Sequence, residues 1–188
     1  SGKQGAEIAK CLQKLEADVT LVLGPVNLEL AGISKVIRVE SAVQMNDAVI
    51  ETGPFDIAIC AAAVSDWRPK EKAKTKIKKS SIGKPQILEL VENPDILKNI
   101  CSAENRPNLV IGFAAETNDL LTNARSKLKN KGCDWIVANK VTAETSNMGG
   151  WENEVTIIKK NEEIKFAKQS KEGIAKLICK KIVEEFSG

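Results

Sequence analysis

Asp66 closes a run, Ile57 to Ser65, that contains no charged residue, and the next thirteen positions hold six lysines: Lys70, Lys72, Lys74, Lys76, Lys78 and Lys79. In an extended chain alternate side chains share a side. Lys70, Lys72, Lys74, Lys76 and Lys78 would then form one ammonium edge whose mutual repulsion an anion relieves, and a phosphate chain is the fitting anion. A lone aspartate after a strand usually caps a turn, and a lysine run is usually a solvated face. Their adjacency moves the reading towards a carboxylate fixed at a strand end and a basic arm, residues 68–82, that acts as a mobile flap. A second basic pair, Lys127 and Lys131, lies four residues apart and so on one face of a helix. Without further support it would read as solvated surface.

The absences are as informative. The chain has no histidine and no tyrosine, which removes Ser-His and Cys-His nucleophile pairs, histidine-ligated metals, imidazole acids and bases, and oxidoreductases built on a Tyr/Lys acid pair. Cys11, Cys60, Cys101, Cys133 and Cys179 are odd in number and never spaced C-x-x-C, so neither a disulfide framework nor a thiolate zinc site is indicated and a cytoplasmic location is expected. No apolar run approaches the roughly 20 residues of a membrane span, and the opening SGKQGAEIAK has no leader-like apolar stretch. A net charge of +3 does not by itself imply nucleic-acid binding.

The elements that must position these groups read as an alternation of helix and strand. Ile8, Ala9, Cys11, Leu12 and Leu15 have helical spacing within Ser1 to Ala17. "DVTLVLGP" and "KVIRVES" read as strands, Ser41 as the cap of a helix over Ala42 to Glu51, and "FDIAICAAAVSD" as a third strand apolar enough to be covered on both faces. "QILELVEN" is a short strand before a helix over Ile96 to Ala103 with Pro94 in its first turn. "NLVIGFAAET" and "DWIVANKV" are buried strands separated by a helix over Asn118 to Lys131 capped by Thr117. "EVTIIKK" and "EIKFAKQ" alternate as a half-exposed hairpin, and a last helix over Lys171 to Phe186 turns Ile174, Leu177, Ile178, Ile182 and Val183 inwards. The 188 residues fit one domain. Its class is α/β, a Rossmann-like and mostly parallel sheet with helices on both faces plus a C-terminal hairpin. Because such a unit opens on a strand, a first strand is expected upstream of Ser1.

"AAAVSDW", then "KIKK", "NPDIL", "GFAAET" with lysines ten to fourteen residues beyond it, and "ANKV" follow one another along nearly the whole chain. In that order they resemble phosphopantothenoylcysteine synthetase, the ligase domain of the bacterial coenzyme A flavoprotein, and "SGKQG" resembles part of that family's S-S-G-x-x-G turn. The resemblance implies a single CTP-binding ligase domain over residues 1–188, N-terminally truncated. It implies that CTP activates the carboxylate of 4'-phosphopantothenate as an acyl-cytidylate, from which the amine of L-cysteine displaces CMP. It assigns Asp66 to the nucleotide and Lys76 to the triphosphate as the catalytic flap lysine. Asn93, Pro94, Asp95 and Ile96 would approach the nucleotide through backbone groups, Phe113 would lie near the cytosine, and Lys127 and Lys131 would be nucleotide contacts. It further implies Mg²⁺ carried by the triphosphate, a homodimer, for which the C-terminal hairpin is one contact edge, and CTP, 4'-phosphopantothenate and cysteine as the small-molecule partners. Fusion to a flavin-dependent decarboxylase is left open, and no nucleic acid or membrane partner is expected.

Two other readings share part of this pattern. A nicotinamide-dependent oxidoreductase would share the layout, but no G-x-G-x-x-G is present. A nucleic-acid-binding module could use the lysine run, which lacks aromatic residues for base stacking. Trp67, Trp135, Trp151 and the five cysteines read as packing residues, and Gly149-Gly150 as a turn.

Overall fold

The structure, a computed structural model, describes residues 2–71, 87–116, 119–140 and 152–187. Lys76 with most of the expected flap, the Thr117 cap, the Gly149-Gly150 turn and Trp151 lie outside these residues.

The chain runs α1 (Lys3–Lys14), β1 (Thr20–Leu23), β2 (Lys35–Arg38), α2 (Ala42–Thr52), β3 (Ile57–Cys60), β4 (Trp67–Pro69), β5 (Leu90–Glu92), α3 (Ile96–Ser102), β6 (Leu109–Glu116), α4 (Leu120–Lys131), β7 (Trp135–Lys140), β8 (Glu152–Ile158), β9 (Glu163–Ser170) and α5 (Lys171–Phe186). Five strands form the main sheet in the order β3-β6-β7-β8-β9. β3, β6 and β7 are parallel, while β8 and β9 continue the sheet antiparallel. β1 and β2 form a separate parallel pair, and β4 and β5 a separate antiparallel ribbon. The α/β class expected from the sequence is therefore present, in a mixed sheet.

Alternation along the central strands divides the core in two, because successive strand residues face opposite sides. Leu109 and Ile111 of β6, with Trp135 and Val137 of β7, pack with Ile8 of α1 and Ile174, Ile178 and Ile182 of α5. Val110 and Ala114, with Ile136 and Ala138, pack with Leu97 and Ile100 of α3 and Ala124 of α4. Gly112 is the close approach on this second face. A β-carbon there would stand 2.7 Å from Leu97 Cδ2 and 2.9 Å from Ile136 Cδ1, so the missing side chain is what lets α3 settle onto β6.

Several local expectations are corrected. β3 stops at Cys60, where its pairing with β6 ends at Gly112, and Ala62 through Asp66 are exposed. The stretch after Asp66 begins as a strand: Trp67 pairs with Glu92 and Pro69 with Leu90. Trp67 is therefore an exposed ribbon residue rather than a packing one. Pro94 precedes the α3 cap, which is Asp95 accepting from the Lys98 N–H at 3.1 Å. α4 begins at Leu120, after Asp119 in the left-handed region. β8 is not half-exposed: Val155, Thr156, Ile157 and Ile158 are all buried, Val155 and Ile157 on the α5 side and Ile158 on the α3 and α4 side of the sheet. Leu15 and Val183 are exposed; Leu15 falls just past the last residue of α1, and Val183 lies off the Ile174, Ile178, Ile182 stripe. The Ser41 cap is present, accepting from the Gln44 N–H at 3.2 Å.

Candidate functional site

Asn93 links the expected site segments. Its backbone N–H donates to the Asp66 carbonyl at 2.8 Å, and its side-chain Nδ2 donates to the Ser65 carbonyl at 2.8 Å. Arg68 Nη1 donates to Asn93 Oδ1 at 3.4 Å and to the Glu92 carbonyl. The loop that carries Asp66 is thus fastened to the segment entering α3 by three residues, and Asn93 spends its own donors on this brace. Asp66 itself is exposed.

Two residues beyond Asn93, Asp95 faces α4. Between the start of α3 and one face of α4 lies a cleft of about 400 Å³ lined by Asp95, Lys98, Asn123, Ser126, Lys127, Asn130 and Lys131. The α4 contributors fall at i, i+3, i+4, i+7 and i+8, the spacing of a single helix face. Lys131 is ion-paired with Asp95, and Lys127 Nζ donates to the Phe113 carbonyl at 2.8 Å. Burial pushes the Asp95 carboxyl up, but the hydrogen bonds from Lys131 and the Lys98 N–H, with the charges of both lysines, outweigh it and hold the group below its usual range. The cleft therefore contains three ammonium groups and one carboxylate that stays ionised at neutral pH.

Of the residues singled out in the sequence, Asp95, Lys127 and Lys131 come together here, and Asp66 and Asn93 adjoin them through the brace. Ile96 is partly buried against the second core face, and Pro94 is half-buried between Asn93 and the cap. Phe113 meets the cleft through its carbonyl alone; its ring packs towards the α1 and α5 side, as the alternation along β6 requires. Lys76 lies outside the described residues. Sequence reasoning missed Lys98, Asn123, Ser126 and Asn130, although all four α4 and α3 positions could have been found by extending the helical spacing outward from Lys127 and Lys131 and from the Asp95 cap. Arg68 was assigned to the flap, and no local pattern marks it as the brace.

Near this cleft the Cys60 thiol is pushed up to about 12 by burial, then by the neighbouring Cys101 and Cys133 thiols and Asp95, against an opposing pull from Lys127. It is a neutral packing group at physiological pH, not a nucleophile. Among the described residues no group of three or more acidic, cysteine or histidine side chains could hold a metal ion, and no helix is long and apolar enough to cross a membrane.

Residues 1–186 match the family described as the DNA/pantothenate metabolism flavoprotein C-terminal domain. The chain belongs to that family. As a flavoprotein C-terminal domain it is 40% identical over 188 residues to the coenzyme A biosynthesis bifunctional protein CoaBC of Vibrio cholerae serotype O1, covering 98% of this chain and 47% of the relative. The chain spans about half the length of the curated relatives it matches. A crystal structure of the C-terminal domain of CoaBC superposes with a TM-score of 0.80 at 34% identity, covering 100% of this chain and 84% of that one. A Cab2 variant solved with phosphopantothenate-cysteine shares the fold at a TM-score of 0.51 and 13% identity, over 80% of this chain and 52% of that one.

Proposed function

We propose that this flavoprotein C-terminal domain joins 4'-phosphopantothenate to L-cysteine at the expense of CTP, a ligase step of coenzyme A biosynthesis. The observation that carries the reading is the Lys98, Lys127 and Lys131 cleft set beside the braced Asp66 loop, in a chain whose relatives are named for coenzyme A biosynthesis. In the first half-reaction a carboxylate oxygen of phosphopantothenate attacks the α-phosphorus of CTP, and the bond to pyrophosphate breaks. In the second, the cysteine nitrogen attacks the acyl carbon, the bond to CMP oxygen breaks with its electron pair, and the nitrogen loses a proton. Both steps call chiefly for charge neutralisation and alignment, which lysines provide and histidine is not needed for. Mg²⁺ enters as part of the nucleotide substrate, which keeps its own oxygen ligands. Asp66 binds the nucleotide, and Lys76 reaches the triphosphate as the catalytic lysine. The five cysteines are free thiols, in keeping with a cytoplasmic setting. The bifunctional name of the relatives, of whose length the chain spans about half, is consistent with fusion to a second part such as a flavin-dependent decarboxylase.

The test is to follow pyrophosphate release and amide formation separately. MgCTP should raise the melting temperature where NADH and single-stranded DNA do not, because only a ligand of the native state stabilises it. Lys76→Gln should suppress pyrophosphate release while the fold, read by circular dichroism, is unchanged. Normal acyl-cytidylate formation by that variant would remove Lys76 from the mechanism, and no stabilisation by MgCTP would count against the assigned substrate.

A further inference from the structure

The cleft between α3 and α4 holds its own anion. Asp95 Oδ1 accepts from the Lys98 N–H at 3.1 Å and Oδ2 is paired with Lys131, so one carboxylate is spent both on the cap of α3 and on a cleft lysine. The pair is reachable: side-chain exposures are 31% for Lys131 and 36% for Asp95, which leaves it open to an incoming phosphate. Lys127 is engaged differently, by the neutral Phe113 carbonyl. A phosphate competes with that carbonyl on favourable terms, since a charged acceptor makes the stronger hydrogen bond. At Lys131 it must instead displace or sit beside a resident negative charge.

We propose that Asp95 is a positioning residue that sets the affinity of this cleft for phosphate groups, by holding Lys131 when the cleft is empty and repelling a phosphate that comes to take it. The pair lowers the affinity of the site for polyphosphate. That serves a reaction whose leaving group is itself a polyphosphate, because a cleft that holds the product anion too firmly makes product release limit turnover. When pyrophosphate departs, Asp95 recovers Lys131. The inference rests on the reading of the cleft as a phosphate site but not on the identity of the nucleotide.

Asp95→Asn isolates the effect, because asparagine caps a helix as well as aspartate does and the cap bond to Lys98 can persist without the charge. Binding of inorganic pyrophosphate and of MgCTP is measured by titration calorimetry on wild type, Asp95→Asn, Lys131→Met and the double variant. Asp95→Asn should bind pyrophosphate roughly three- to tenfold more tightly than wild type, the scale of removing one close, partly exposed like charge, and the gain should shrink below about twofold in the Lys131→Met background, where the pair no longer exists. In steady state the variant should show a lower KM for CTP and slower product release. Asp95→Ser, another good cap, repeats the measurement if the asparagine variant folds poorly. Unchanged or weaker binding by Asp95→Asn overturns the proposal, as does an equal gain in both backgrounds, which would be a field effect independent of Lys131. Tighter pyrophosphate binding with no response to CTP in any protein would leave this inference standing and sink the nucleotide assignment instead.

Discussion

Arg68 shows how one side chain can govern a site it does not line. Its guanidinium spans the Glu92 carbonyl and Asn93 Oδ1, and Asn93 in turn holds the carbonyls of Ser65 and Asp66. Removing the guanidinium takes two hydrogen bonds out of the brace and leaves Asn93 tied to the Asp66 loop only through its own bonds to the Ser65 and Asp66 carbonyls. Hydrogen bonds to charged groups contribute about 1.5–3 kcal/mol each, and the partial exposure of this one argues for the lower end. Arg68→Ala should therefore raise KM for CTP roughly tenfold, the equivalent of about 1.4 kcal/mol, with a much smaller change in KM for cysteine. Arg68→Lys should recover only part of the loss, because an ammonium cannot span two acceptors as a planar fork does. Equal losses for both substrates would show the residue to be a general support of the fold. Of the site residues, those adjoining a sharp change in pattern were visible in the sequence: Asp66 after an uncharged strand, Lys127 and Lys131 at helical spacing. Arg68 was not, because its partners lie 24 and 25 positions away and contact at that separation leaves no periodic trace.

Among the elements, the β4–β5 ribbon stands apart. Trp67, Ile87, Leu88 and Leu90 are exposed by 53%, 84%, 59% and 51%, and a two-stranded ribbon is marginally stable in water on its own. Large apolar side chains exposed on such a ribbon and just before it are what an interaction surface requires, and for the homodimer that the resemblance implies they offer a more apolar contact than the β9 edge, whose exposed side is polar. We predict that Leu90→Glu shifts the protein from dimer to monomer in size-exclusion chromatography with light scattering, while an edge substitution such as Lys165→Glu on β9 leaves the dimer intact. A monomeric wild type, or a dimer indifferent to Leu90→Glu, would refute the assignment. The ribbon was half legible. "QILELVEN" reads as a strand, but its partner begins inside a charged stretch where Pro69 and Lys70 mask strand character.

For the whole molecule, the sequence disclosed the layers better than the order of strands. Continuous apolar runs in β6 and β7 announce burial on both faces, and the structure has it. The alternation in "EVTIIKK" reads as one strand of a half-exposed hairpin, whereas β8 is enclosed; period two gives the direction of side chains but not whether a second layer covers the polar side, and here a buried Thr156 takes the place of a surface residue. The same core carries a pH limit. Burial pushes Cys60 up to about 12 and Cys133 up to about 11. A folded-state value above the unfolded one of about 8.5 means the stabilisation is complete below pH 8.5 or so and declines as pH rises towards the folded values. Urea unfolding from pH 7 to 10 should therefore show a stability that is level and then falls by up to roughly 1.4 kcal/mol per pH unit for each thiol ionised only in the unfolded chain. Cys60→Ala with Cys133→Ala should make that fall shallower by the share of those two thiols, the remainder staying with Cys101 and Cys179, which burial also pushes up, and an equally steep decline in the double variant would assign it to other groups.

The docking of α1 on α5 bears on how the protein is made. Cys179 Sγ lies 3.9 Å from the Ile8 carbonyl, and Gln4 Nε2 donates to the Lys171 carbonyl across 167 positions. A ribosome adds about 5–20 residues per second, so α1 emerges roughly ten seconds or more before the helix that covers it exists. During that interval Ile8 and its neighbours lack α5 as a partner and are open to chaperones, and the α1 face of the sheet closes only once Lys171–Phe186 has been made. A chain stalled or clipped before α5 is consequently left with an uncovered α1 that quality control can recognise.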